Sequence, residues 1–77
     1  MAIQNLLSLQ KGQKGVISSV DTQILPSKLY EIGLLPGTEV QLKFTGPFHD
    51  PICIAFGKDN TKIALRKSEA QHIMIEL

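Results

Sequence analysis

Apolar residues change their period within a dozen positions of this chain, and that change restricts it to a small, turn-rich β fold with one short helix. Leu25, Leu29 and Ile32 fall at i, i+4 and i+7, so they line one face of a helix. Pro26 suits its first turn, where the missing N–H would have no partner, and Gly33 ends it by taking the left-handed conformation without a Cβ clash. The spacing therefore predicts a helix over 26–32. Past the turn at Pro36-Gly37, Val40, Leu42 and Phe44 alternate with Gln41, Lys43 and Thr45, which is a strand over 38–45 with one buried face.

The same reasoning predicts four more strands, at 15–20, Ile52–Phe56, 62–66 and 72–76. Gly57-Lys58-Asp59-Asn60 forms a hairpin loop by composition, and a helical or 3₁₀ turn is expected at 68–70. A leucine-rich lead-in, Leu6, Leu7 and Leu9, precedes the first strand. Five short strands laid flat would leave their apolar faces uncovered and two edges bare, whereas curling into a small barrel covers both. The expected inward set is Val40, Leu42, Phe44, Ile52, Ile54, Phe56, Ile63, Leu65, Ile73 and Ile75. Burying each large side chain is worth about 1.5–3 kcal/mol, most of which chain entropy offsets. The fold class expected is thus all-β with one short helix, a five-stranded barrel forming a single domain over 1–77.

Composition removes several functions. With 77 residues the chain is near the lower limit for a self-sufficient core. Cys53 is its one cysteine, so no internal disulfide forms, in keeping with a reducing compartment. The N-terminus, Met1-Ala2-Ile3-Gln4-Asn5-Leu6, lacks the charge and apolar run of a signal peptide, and no stretch approaches the ~20 apolar residues of a membrane-spanning helix. A cytoplasmic protein without direct membrane insertion is expected. The formal net charge is +1, and the eight basic residues are dispersed, unlike the basic face of a nucleic-acid binder, so no nucleic-acid partner is expected. Its four glutamates and three aspartates are scattered too, and no nucleophile–base arrangement or phosphate-cradling glycine loop is present, so neither catalysis nor nucleotide binding is expected.

Three blocks, "LYEIGLLPGTEV", "GPFHDPICI" and "IALRKSEAQHIMIE", in this order, resemble ferrous iron transport protein A, the FeoA family. The resemblance spans roughly 29–76, with "LQKGQKGVISSV" at 9–20 as a weaker match to the usual first strand. It implies an SH3-like barrel with the helix plugging or flanking one opening. Two departures stand out: His49 occupies a position that is usually glycine, and the 57–60 hairpin is longer than is common. The resemblance also implies a partner, the FeoB-type ferrous-iron permease, a membrane protein with a cytosolic GTPase domain. The expected role is that of a non-enzymatic accessory of ferrous iron uptake that binds the permease's cytosolic part and needs no cofactor.

His49 and Asp50, with Cys53 and His72, are metal-ligating residue types. Their spacing matches no strong motif, Asp before Pro is a common turn residue, and Cys53 and His72 are out of phase with the apolar residues of their strands. No tight divalent-metal site is expected. Arg66 is the one arginine of the chain. It is a candidate GTPase-stimulating finger for the implied partner, against the plainer reading that it closes a strand and pairs with Glu69. The remaining candidates for partner binding are apolar. Leu34 and Leu35 follow the helix stop directly and both can hardly face inward, and Leu35, Tyr30 and Phe48 are expected to form a docking patch. The Cys53/Ala55 face of the strand Ile52–Phe56 needs a cover, for which the helix is the plain candidate. Another reading makes the chain a stand-alone relative of the C-terminal SH3-like domain of iron-dependent repressors, although the DNA-binding domain those carry is expected to have no room in a chain that begins at Met1. Self-association, through a bare strand edge or the Leu35 region, is left open.

Overall fold

The structure, a computed structural model, describes residues 3–77. Met1 and Ala2, included in the reading of the N-terminus, lie outside the described residues. The elements run in the order β1 (Ile3–Asn5), β2 (Lys14–Val20), α1 (Ser27–Glu31), β3 (Glu39–Thr45), β4 (Ile52–Phe56), β5 (Thr61–Leu65), α2 (Lys67–Ala70) and β6 (Ile73–Glu76), with 3₁₀ turns at Leu6–Ser8 and Pro47–His49. The strands form one antiparallel sheet in the order β1-β6-β2-β3-β4-β5. Its near-equal extents, 27 × 25 × 25 Å, are those of a sheet curled on itself. Two register shifts aid the curling, one in β2 between Ile17 and Ser19 and one in β3 between Leu42 and Phe44, because an extra residue bends its strand and raises the local twist.

The all-β barrel with a short helix is as expected, but among the described residues it has six strands rather than five. The sixth, β1, takes in three of them and is held by β6, with Ile3 opposite Glu76 and Asn5 opposite Met74. Nine of the ten residues expected to point inward do so, Ile63 only in part. Phe44 does not: it is 57% exposed. Lys43 has no partner in β4, so Phe44 pairs with Cys53 and moves to the face opposite Leu42 and Ile54. The lead-in supplies Leu6 and Leu9 to the core instead.

Helix α1 ends in a Schellman motif. Gly33, at φ +114°, donates its N–H to the Tyr30 carbonyl at 3.1 Å, and Leu34 donates to the Leu29 carbonyl at 3.1 Å. Such a stop turns the residue after the glycine back toward the helix, and Leu34 joins Leu29 in the buried core. Ile32, expected on the buried face of the helix, is exposed, because the helical turn ends at Glu31. A Cβ on Gly33 would lie 3.5 Å from Cε2 of Phe56, so the end of α1 sits over Phe56 on the inner face, at one opening of the barrel. On the Cys53/Ala55 face, Ala55 is buried, with Gln41 and Lys62 opposite it on the neighbouring strands, while Cys53 is half-buried.

Candidate functional site

The most built-up surface feature is the corner where β3 turns into β4. Gly46 and the β4 end are tied by a hydrogen bond from the Gly46 N–H to the Pro51 carbonyl at 2.8 Å. Between them the chain makes a single 3₁₀ turn, closed by His49 N–H to the Gly46 carbonyl at 3.1 Å and Asp50 N–H to the Pro47 carbonyl at 3.2 Å. Phe48 and His49 both take the left-handed conformation, at φ +57° and +64°. For a bulky aromatic residue that is a costly backbone state, which persists only when the surroundings impose it.

The surroundings here are specific. The His49 ring Nε2 lies 3.2 Å from the Leu7 carbonyl, tying the corner to the first 3₁₀ turn. Asp50 Oδ1 accepts the Lys67 N–H at 3.0 Å, capping the first turn of α2, and its Oδ2 lies 3.9 Å from Nη1 of Arg66. Arg66 therefore pairs with Asp50 across the corner, not with Glu69 as expected. Glu69 instead accepts the backbone N–H of Arg66 at 2.9 Å. The Glu69 carboxylate is taken up by the backbone N–H of Arg66, while Asp50, from another hairpin, stands beside the guanidinium.

All this machinery points Phe48 into solvent: it is 95% exposed. The next residue, His49, lines a mixed cleft of about 340 Å³ together with Leu7, Leu9, Lys11 and Phe44. Asp50 lines a second, polar cleft of about 540 Å³ with Arg66, Lys67 and Gln71. An exposed apolar tip on a corner whose next two residues line such clefts is suited to a protein partner, which such anchors hold by filling its pockets.

The remaining candidates fall elsewhere. Leu34, expected at the docking surface, is fully buried at 0% exposure, because the helix stop turns it inward. Tyr30 and Leu35 are exposed, but at the far end of the β3–β4 hairpin: Leu35 accepts the Thr38 N–H at 3.1 Å just before β3 begins, whereas Phe48 follows its end. The seven residues of β3 separate them by about 20 Å of strand. Tyr30, Leu35 and Phe48 therefore do not form one patch. Phe44 and Leu7, which line the cleft beside His49, were missed. Among the described residues no three His, Cys, Asp or Glu side chains converge, and His49, Asp50, Cys53 and His72 occupy separate environments.

His49 gives a direct check on the corner. Its imidazole contact offsets a backbone state that glycine would adopt freely, so His49→Ala loses the contact and keeps the strain, while His49→Gly loses only the contact. The alanine variant should be the less stable of the two by about 1 kcal/mol in urea denaturation.

Comparison with known proteins is decisive at the family level. The profile of the FeoA domain matches residues 4–77. The chain belongs to the FeoA family. Iron(II) transport protein A from Clostridium thermocellum superposes with a TM-score of 0.84 at 33% identity, over 96% of this chain and 45% of that one. FeoA from Stenotrophomonas maltophilia, solved with zinc and described as a prokaryotic SH3 domain protein, gives 0.80 at 28% identity, over 95% of this chain and 89% of that one. A manganese-dependent transcriptional repressor shares the fold, with a TM-score of 0.82 at 20% identity, over 99% of this chain and 37% of the repressor. No curated protein sequence matches. His49 is left-handed, a conformation that favours glycine, and the ring contact to Leu7 holds a non-glycine residue there. Among the described residues, no helix of this FeoA protein is long and apolar enough to cross a membrane.

Proposed function

We propose that this FeoA protein is a non-enzymatic, cytoplasmic accessory of ferrous iron uptake that docks onto the cytosolic part of a FeoB-type permease through the corner centred on Phe48. The observation carrying this reading is Phe48 itself, an aromatic side chain fully in solvent on a backbone conformation that several cross-chain contacts maintain. Folding stability gives no reason to keep such a residue exposed, whereas a partner pocket does. Phe44 and Leu7 extend the apolar contact, and Arg66 with Lys67 supplies charge at its rim.

The test is the affinity of the full chain for the purified cytosolic GTPase domain of the permease. Phe48→Ser should weaken binding at least tenfold without lowering the unfolding midpoint, since the side chain packs on nothing. Unchanged affinity would remove the corner as the docking site. Arg66 separates simple docking from stimulation of GTP hydrolysis. Its guanidinium is largely exposed and held by a single long ion pair, so it is free to reach a partner. In the docking role, Arg66→Ala costs about 1 kcal/mol of binding at most and leaves GTP turnover at saturating protein unchanged. A collapse of turnover at saturation would instead assign Arg66 to the partner's phosphoryl-transfer chemistry.

A further inference from the structure

Both outer strands of the sheet have a free edge, but they are protected unequally. β1 spans three of the described residues, Ile3–Asn5, and so short a stretch offers little to pair with. β5 has five residues, no proline and a regular register with β4 throughout. Among the described residues, no backbone hydrogen bond from another segment reaches its outer edge. Lys62 is its single charge. Of its core-facing residues, Leu65 is fully buried whereas Ile63, opposite Ile54 in β4, is only partly covered, because the sheet stops beside it.

We propose that β5 pairs antiparallel with β5 of a second copy of this chain, on a two-fold axis through Ile63, joining two sheets into one. A two-fold axis normal to the sheet keeps each face on its own side, so residues facing one another across it must have the same parity. Sliding the pair by one such step puts Lys62 against Lys62, and sliding it the other way puts Lys62 against Arg66. Like charges directly opposite destabilise a strand pair. The register centred on Ile63 avoids both. It sets Lys62 opposite Ala64, Thr61 opposite Leu65 and Ile63 opposite Ile63, and it brings the Asp59 end of each strand to the Lys67 end of the other. The two Ile63 side chains then cover one another's exposed part. An interface of one short strand per copy is small, so the dimer is weak and forms between about 10 μM and 1 mM protein.

Sedimentation equilibrium across that range reads the outcome on the full chain. The mass should rise from monomer toward dimer, and in NMR spectra the concentration-dependent amide shifts should centre on Thr61–Leu65. Ala64→Lys places a lysine opposite Lys62 of the other copy and should weaken association at least tenfold. Both positions are exposed, so the fold is retained. Adding Lys62→Glu to that variant makes each facing pair oppositely charged and should restore the dimer. A wild-type protein that stays monomeric to 1 mM overturns the proposal, as does amide movement confined to the Leu35 region. An Ala64→Lys variant that dimerises like wild type, or a double variant that fails to recover, overturns the register centred on Ile63.

Discussion

Gly46→Ala should destabilise the protein by about 2–3 kcal/mol, although glycine at this position uses no special backbone freedom. Its φ of −78° is open to any residue. The restriction is spatial: a Cβ would stand 2.6 Å from the Asp50 carbonyl oxygen and 2.9 Å from Cδ of Pro51. Neither neighbour yields cheaply. Asp50 is fixed through Lys67 and Arg66, and the Gly46–Pro51 hydrogen bond holds the two strand ends together at 2.8 Å. The loss would be a large part of the total stability of a domain this small. Urea denaturation checks the magnitude. Gly12→Ala is the natural control: Gly12 has φ +85° but nothing within 4 Å of a built Cβ, so it should lose only about 1 kcal/mol. Equal losses at the two positions would mean that the corner is not held as tightly as its contacts indicate. A rigid corner also requires that Gly46→Ala lower partner affinity along with stability, unlike Phe48→Ser.

The second large effect contrasts two adjacent leucines. Leu34→Ala should cost about 2–5 kcal/mol, since it removes a fully buried side chain and leaves a cavity beneath the end of α1. Leu35→Ala should cost under about 1 kcal/mol, because Leu35 is 37% exposed and loses little contact. For a domain of this size each kcal/mol moves the thermal midpoint by about 4–8 °C, so the two variants should differ by at least about 4 °C. Similar midpoints would show that the helix stop does not seat Leu34 in the core.

That leucine pair also shows what the sequence alone can and cannot reveal. The signal for Leu34 was present: a glycine helix stop followed by a leucine, with Leu29 upstream at Schellman spacing, sends the first leucine inward. Local patterns of this kind placed α1 within a residue at each end and β4 to the residue. Phe44 had no such signal. Its alternation with Leu42 is unbroken in sequence, and the bulge at Lys43 exists only relative to β4. β1 was illegible because three residues carry no period. The candidate site was legible in its parts, Phe48 and Arg66, but not in its assembly. Asp50 reaches Lys67 and Arg66 from another hairpin, and His49 contacts Leu7, which lies 42 positions earlier in the chain. Such contacts follow from topology, which local spacing does not encode.

The position of β6 in the sheet has a consequence for how the protein is made. The last strand of the chain lies between β1 and β2, where Ile75 faces Ile17 and Glu76 faces Ile3. A nascent chain can form the β2–β3–β4–β5 meander from neighbouring segments as they emerge, but β1 and the other edge of β2 have to wait for β6. Pairings between such distant segments form slowly, and until they do Leu6, Leu9 and Ile17 remain uncovered. A product cut short before Ile73 therefore lacks the strand that holds β1 and one of the two neighbours of β2, which exposes it to the cell's proteases.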